Sequence, residues 1–394
     1  MKRRVSFDDI SVAFSSKSDK ALMKTYLIFA GMNNHTLMKM GTSSIKGAFK
    51  VGLPISSLIK NTIFEQFCGG ETIEECEPTI KLLGKFNVGT ILDYSIEGEK
   101  TEAGFQNTTQ ETIRTIEKAH RSPHVPFSVF KVTGLSEFAL LEKVQAGEEL
   151  NESEKEAFQR AIDRIDRICE KAHELNVPIF IDAEESWIQD AVDRIVYAMM
   201  AKYNKEKPIV YNTYQMYRHD MLGRLKEAFS QANKSGYKIG AKLVRGAYME
   251  KESLRAAQMG YTNPIQPDKE SSDRDYNLAL EFCVENIDRI SLCSGSHNEY
   301  SNYLLVDLME KQNLKPNDER VYFAQLFGMS DNISFNLAKA GYNVAKYVPY
   351  GPVKSVMPYL FRRAEENSSI AGQSSREYLM VKDELQRRKA VKKH

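Results

Sequence analysis

The sequence lacks most of the marks that point to a common function class. Its five cysteines (Cys68, Cys76, Cys169, Cys283, Cys293) include no C-x-x-C. An odd, scattered set argues for reduced thiols in a cytoplasmic-type compartment and against a zinc site. Neither sign of charge dominates, with Lys plus Arg at 54 and Asp plus Glu at 53. No global field therefore draws the chain to nucleic acid. No apolar run approaches the roughly 20 residues of a membrane span. Residues 1–14 carry Asp8 and Asp9. They lack the apolar core of a signal peptide and the acid-free, Arg-rich pattern of a transit peptide. No predicted strand is followed by G-x-G-x-x-G, so no Rossmann dinucleotide site is expected. No H-x-x-x-H or acidic cluster suggests a metal, and no Ser/His/Asp arrangement is readable.

What is present is a change of pattern near residue 88. Residues 1–85 read as an all-helical section, an arm or a cap. Ser18 and Asp19 cap one predicted helix, Ile55 to Phe67 forms another, and Thr72 with Glu75 makes a capping box for the next. Residues 86–370 alternate short apolar runs with long amphipathic stretches such as Glu154 to Leu175. The eight runs are Val88–Tyr94, Val125–Val132, Pro178–Asp182, Ile209–Tyr214, Ile239–Val244, Ile290–Ser294, Val321–Leu326 and Val344–Val348. Strand then helix, eight times, predicts an α/β fold, a (β/α)8 barrel, in preference to a doubly wound open sheet. Residues 371–394 end in a charged helix outside the eight units.

In such barrels chemistry sits where the strands end. Here the predicted ends carry Lys131, Asp182, Gln215, Lys242, Arg245, Ser296, His297, Asn298, Gln325 and Tyr347. Lys131 reads as a Schiff-base amine, a carboxylate partner or a solvated strand-end residue. Asp182 follows Pro178-Ile-Phe-Ile181, so it is half buried and needs a partner, and Lys131 on the preceding strand is the expected one. Lys242 and Val244 face one way and Leu243 and Arg245 the other. Gly246 and Ala247 would let a large planar ligand approach the backbone. After the last strand a turn at Pro349, Tyr350 and Gly351 leads to a helix. There Tyr359 lies three and four residues before Arg362 and Arg363, which suit a clamp for a small carboxylate, with Glu366 one turn on.

The motifs F-I-D-A-E-E-S at 180–186, Y-N-T-Y-Q-M-Y at 211–217, K-L-V-R-G-A-Y at 242–248, G-S-H-N at 295–298, F-A-Q-L-F-G-M at 323–329 and Y-V-P-Y-G…Y-L-F-R-R-A-E-E-N-S-S at 347–369 resemble the proline dehydrogenase family, most closely its monofunctional, eukaryotic-type branch. The resemblance covers roughly residues 85–370. It implies a distorted barrel that binds FAD, oxidises L-proline to Δ1-pyrroline-5-carboxylate and passes electrons to a membrane quinone. It further implies that Arg362, Arg363 and Lys131 hold the substrate carboxylate and that Tyr347, Tyr359 and Leu326 pack on the ring. Asp182 becomes the acid of the active site and Lys242 a basic residue near the flavin N5. Gln215, Val244, Gly246, Ala247, Tyr248, Ser296, His297, Asn298, Gln325, Leu326 and Glu366 become the FAD lining. Many bacterial members carry Arg at the position of Lys242 and Lys at that of Arg245, so the flavin contacts differ here. A cytoplasmic protein peripheral to the inner membrane, or one facing the mitochondrial matrix, is expected. The rivals are a hydroxyproline dehydrogenase, a Schiff-base aldolase using Lys131 or Lys242, and a non-catalytic binding protein.

Overall fold

The computed structural model describes residues 5–33, 35–50, 53–96, 99–369 and 373–392. Eight parallel strands close into a barrel in sequence order: β1 (Val88–Tyr94), β2 (Phe127–Lys131), β3 (Ile179–Asp182), β4 (Val210–Gln215), β5 (Ile239–Val244), β6 (Ile290–Gly295), β7 (Val321–Leu326) and β8 (Val344–Tyr350). β1 closes on β8 over its full length, from Val88 opposite Val344 to Tyr94 opposite Tyr350. Closure leaves no unpaired strand edge in the barrel.

Strand side chains alternate, so each strand feeds two cores. One set packs outward under the helices, as Leu92, Ile181, Leu243 and Phe323 do. The other set fills the barrel with Ile91, Phe127, Val129, Phe180, Tyr211, Cys293, Ala324, Ala345 and Tyr347. Aromatic rings dominate that plug: Phe127 stacks on Phe180 at 4.4 Å and meets Tyr322 edge-on at 4.7 Å.

The helical N-terminal section comprises α1 (Ile10–Ala13), α2 (Asp19–Asn33), α3 (His35–Lys50), α4 (Ser56–Ile59), α5 (Glu65–Phe67) and α6 (Glu77–Gly84). Between the strands lie α7 (Glu102–Arg121), then α8 (Phe138–Ala146) with α9 (Glu152–Glu174), α10 (Ser186–Tyr203), α11 (Met221–Ser235), α12 (Met249–Met259) with α13 (Lys269–Glu285), α14 (Glu299–Lys311) and α15 (Asp331–Lys339). After β8 come α16 (Val353–Ser369) and α17 (Gln373–Val391).

Three local expectations change. The single helix foreseen from Ile55 to Phe67 is broken by a π-turn at Lys60–Phe64, where Thr62 leaves helical geometry and its hydroxyl donates to the Leu58 carbonyl at 2.7 Å. Thr72 does accept from the Glu75 amide, but Glu75 turns its carboxylate to the Glu71 amide, and the helix begins two residues later. β8 runs on through Pro349 and Tyr350, which pair with Asp93 and Tyr94, so the turn moves to Gly351. Proline suits this position because β7 no longer pairs there, and on that side the Pro349 carbonyl only accepts, from the Gly69 amide at 2.9 Å.

The N-terminal helices pack on α16. Phe29, Met32, Ile59, Phe64 and Phe67 form one buried cluster with Val356, Met357, Tyr359 and Leu360. α17 lies along α2, where Arg388 donates to the carbonyls of Phe14 and Lys17 at 2.8 Å and to Asp19 at 2.9 Å.

Candidate active site

The barrel mouth is organised by a buried cation. Lys242 points inward from β5 and is 4 % exposed. A buried ammonium has no water to solvate it, so it must take its partners from the protein. Its Nζ pairs with Asp182 at the end of β3 and donates to the Tyr347 hydroxyl on β8 at 2.8 Å. The Tyr347 hydroxyl lies 3.4 Å from the same Asp182 oxygen. Nζ also stands 4.6 Å from the centre of the Tyr347 ring and 5.5 Å from that of Phe180. The ring faces add to the attraction. Burial beside Asp182 pushes the Tyr347 phenol well above its ordinary range.

Asp182 pairs with Lys242, a partner that the sequence reading did not name. Lys131 does sit opposite Asp182 in register. It is only half buried, however, and lies closer to water. Its charge acts on other groups: it offsets the burial that raises the Asp93 and Glu184 carboxyls, and it favours ionised Tyr248.

Asp93 escaped the sequence reading. It ends the apolar run of β1 much as Asp182 ends β3, and that signal was available. It points to the same mouth, takes a 2.9 Å hydrogen bond from Ser95, and burial raises its carboxyl. Glu184 is also brought in: it is 3 % exposed, accepts from the Thr133 amide at 3.0 Å and from its hydroxyl, and burial pushes it to about 7.

The two arginines of α16 address different neighbours. The Arg362 charge acts on Tyr248 together with Lys131, which places two predicted carboxylate-binding cations in one region. Arg363 is buried, its guanidinium carbon 5.3 Å from the Tyr359 ring centre, and its charge reaches His297. The i, i+4 pairing of Tyr359 with Arg363 is present as the spacing predicts. Tyr359 itself is largely buried in the cluster with the N-terminal helices. The side chain of Glu366 lies outside the described residues.

The positions expected to line a large planar ligand surround this mouth from β4 to β7. Gly246 adopts φ +136, and a Cβ there would sit 2.5 Å from the Tyr217 ring. Gly246 and Ala247 are left exposed, with Tyr248 and Val244 beside them half buried. Several polar members are committed to the framework. Gln215 donates to the Glu184 carbonyl at 2.8 Å. Gln325 donates to the Ser296 carbonyl at 3.1 Å, and its own oxygen accepts from Ser334. The Asn298 side chain caps α14 through the Ser301 amide. Arg245 braces the wall through three bonds, to Asp273 at 2.6 Å, Ser296 at 2.8 Å and Ser301 at 3.0 Å, and lies 4.4 Å over Tyr276. His297 is held at about 3 by burial among Lys346, Arg363 and Arg245, so its ring is neutral, with Nδ1 2.8 Å from the Ser330 hydroxyl. Leu326 stands beside Tyr347 in register.

A family model described as proline dehydrogenase matches residues 76–376. The chain belongs to the proline dehydrogenase family. It is 35 % identical to the mitochondrial proline dehydrogenase 1 of Dictyostelium discoideum, across 96 % of this chain and 74 % of that one. It is 40 % identical to the human mitochondrial proline dehydrogenase 1 over 65 % of this chain and 44 % of the relative. It is also 30 % identical to the carbapenem antibiotics biosynthesis protein CarD of Pectobacterium carotovorum, with 97 % and 98 % covered. Among solved structures it superposes on proline utilization A of Bdellovibrio bacteriovorus with a TM-score of 0.70 at 22 % identity, covering 91 % of this chain and 38 % of that one. That superposition agrees with the closed barrel described above. Among the described residues no helix is long and apolar enough to cross a membrane, and no group of His, Cys, Asp and Glu is arranged to hold a metal.

Proposed function

We propose that this proline dehydrogenase is an FAD-dependent enzyme that oxidises L-proline to Δ1-pyrroline-5-carboxylate and passes the electrons to a quinone. The observation that carries this reading is the Lys242–Asp182–Tyr347 cluster buried at the mouth of the barrel, with the arginine pair of α16 nearby. The residues fit a flavin in two respects. Gly246 and Ala247 are exposed and carry little or no side chain, so a flat ring could approach the backbone there. The site also holds cations beside the mouth, Arg362 acting on Tyr248 and Arg363 on His297, which suits an anionic cofactor.

FAD, when bound, supplies the acceptor for the hydride that leaves the ring carbon beside nitrogen. The chain's own residues supply position and field. Arg362, Arg363 and Lys131 hold the substrate carboxylate and thereby fix the ring. A near-attack geometry of this kind contributes on the order of 7–11 kcal/mol. Tyr347, Tyr359 and Leu326 form the apolar wall against the pyrrolidine. Lys242 holds a positive charge at the mouth, which would favour added negative charge on a cofactor bound there. Asp182 holds Lys242 in place. The substrate amine is neutral before hydride leaves, and solvent takes its proton. The aldolase reading loses support on Lys242, whose ammonium is engaged by Asp182 and Tyr347 in place of being offered as a nucleophile. In this reading contact with a quinone-bearing membrane is peripheral.

The deciding experiment is a visible spectrum of the purified protein before and after anaerobic L-proline. A flavin spectrum that bleaches on proline is expected. A protein that stays colourless after incubation with FAD would overturn the cofactor assignment. A bound flavin that proline leaves oxidised would overturn the substrate.

A further inference from the structure

The loop after β7 is held from three directions. Lys346 is a fully buried lysine on the outer face of β8, and it donates to the carbonyls of Met329 and Leu326 and pairs with Asp331 at 2.9 Å. Gln66, on α5 of the N-terminal section, donates to the Gly328 carbonyl at 3.0 Å. A Cβ at Gly328 would collide with the Gln66 carbonyl oxygen, so the loop can pass there only as glycine. From the third side Glu377 of α17 accepts the Ser330 amide at 2.7 Å. Ser330 is a non-glycine residue at φ 49. That conformation is uncommon and persists where the surroundings impose it. Its hydroxyl is then 2.8 Å from His297 Nδ1.

Glu377 is 4 % exposed. Burial with Asp331 nearby raises its carboxyl to about 7. A buried carboxyl that accepts a backbone amide of a strained loop has one evident consequence here, which is to fix where Ser330 directs its hydroxyl. Glu377 also lies one residue beyond the segment, 76–376, that matches the family.

We propose that Glu377 is a positioning residue for His297, acting through Ser330, so that the C-terminal helix α17 is part of the cofactor wall. The functional meaning of this link rests on the flavin reading of that wall, but the placement of the imidazole can be tested without the flavin. Glu377 fixes the Ser330 backbone, Ser330 fixes the orientation of the imidazole through Nδ1, and the Arg363 charge acts on the same ring. Arg376 of the same helix pairs with Glu299 at the start of α14, directly after Asn298, so α17 braces the wall at a second point.

The test uses the full chain with 15N-labelled histidine. The His297 ring signals are assigned by their loss in His297→Gln, and they are read in protein without added cofactor and again on FAD titration. In Glu377→Ala the His297 signals shift or broaden and the Kd for FAD rises tenfold or more. Glu377→Gln keeps an acceptor for the Ser330 amide and restores both to within about threefold. Ser330→Ala reproduces the loss, and adding Glu377→Ala to it produces no further change, because the two act in series. Unmoved His297 signals in Glu377→Ala overturn the proposal whether or not FAD binds. Additive effects of the two alanine variants overturn it as well. If wild-type protein fails to bind FAD while Glu377→Ala displaces the His297 signals, the positioning stands and the flavin reading of the site falls. Glu377→Gln also separates the proposal from general loss of folding, since a merely structural defect in α17 would not be rescued selectively at His297.

Discussion

The Lys242 ammonium lies 2.8 Å from the Tyr347 hydroxyl, joining strands β5 and β8 across 105 residues of sequence. Asp182 shares that ammonium, so three strands depend on one cation. Lys242→Met leaves the half-buried Asp182 carboxylate without this partner, which costs up to about 3–5 kcal/mol, the figure for a fully buried pair. Urea unfolding of the variant is expected to show a loss of this size, together with a slower anaerobic bleaching of the flavin by proline. Wild-type stability in Lys242→Met would mean that Asp182 is solvated.

Arg363→Met tests the carboxylate clamp. A charge-assisted hydrogen bond is worth roughly 1.5–3 kcal/mol, which corresponds to about tenfold or more in KM for proline. The main effect is expected on KM, with kcat affected less. Steady-state kinetics with an unchanged KM would remove Arg363 from the clamp.

The buried Glu184 carboxyl sits at about 7, above its ordinary 4.5, because burial outweighs its bonds from Thr133. The folded protein therefore binds this proton more tightly than the unfolded chain. That stabilising contribution is complete below the unfolded value and is lost as pH rises from 4.5 through 7. Each tenfold difference in proton affinity between the two states is worth about 1.4 kcal/mol, so the loss is roughly 3 kcal/mol. Glutamine carries no proton to lose. The Tm of Glu184→Gln relative to wild type is therefore expected to climb between about pH 5 and pH 8. A Tm difference independent of pH contradicts the buried, proton-holding role.

Phe67 is fully buried, 6.2 Å from the Phe29 ring, in the cluster that joins the N-terminal helices to α16. Phe67→Ala removes a large ring from that joint at a cost of about 3–5 kcal/mol. Because α16 carries Arg362 and Arg363, the variant is expected to raise the proline KM as well as lower stability. A thermal melt combined with kinetics separates the two effects, and loss of stability with a wild-type KM would show that the clamp helix is held without the N-terminal section.

Substrate choice follows from the held phenol. Tyr347 has its hydroxyl fixed by Lys242 and Asp182, which leaves it poorly placed to receive a ring hydroxyl. The kcat/KM for trans-4-hydroxy-L-proline is expected to fall below that for L-proline. The reverse order, measured with a common acceptor, would favour the hydroxyproline reading.

The sequence made the strands legible because each is a short apolar run bounded by polar residues, and β1, β5 and β7 begin and end where the pattern placed them. Asp182, Lys242 and Tyr347 were readable as strand-end groups, but their pairing was not. Adjacency along the sheet points to Lys131 for Asp182, whereas Lys242, two strands on at β5, reaches it through the barrel interior. Asp93 carried the same local signal as Asp182 but lay outside the family motifs. The π-turn near Thr62 comes from a threonine hydroxyl bonding back into its own helix, and the continuation of β8 through Pro349 depends on its pairing with β1. The seat of the N-terminal helices on α16 was hidden for the same reason, since only the folded barrel brings residues 29 and 67 against residue 360.

The grip of Arg388 on Phe14, Lys17 and Asp19 has a consequence for biosynthesis. Asp19 and Arg388 are 369 residues apart. At ~5–20 residues per second, a ribosome completes the second partner roughly 20–70 s after the first. During that interval α2 is without the helix that covers it, and β1 waits similarly for β8. Apolar faces in such a nascent chain are open to aggregation and to chaperone capture until the last helix emerges. A chain stalled before residue 373 would therefore carry all eight barrel strands and still leave α2 without its partner helix.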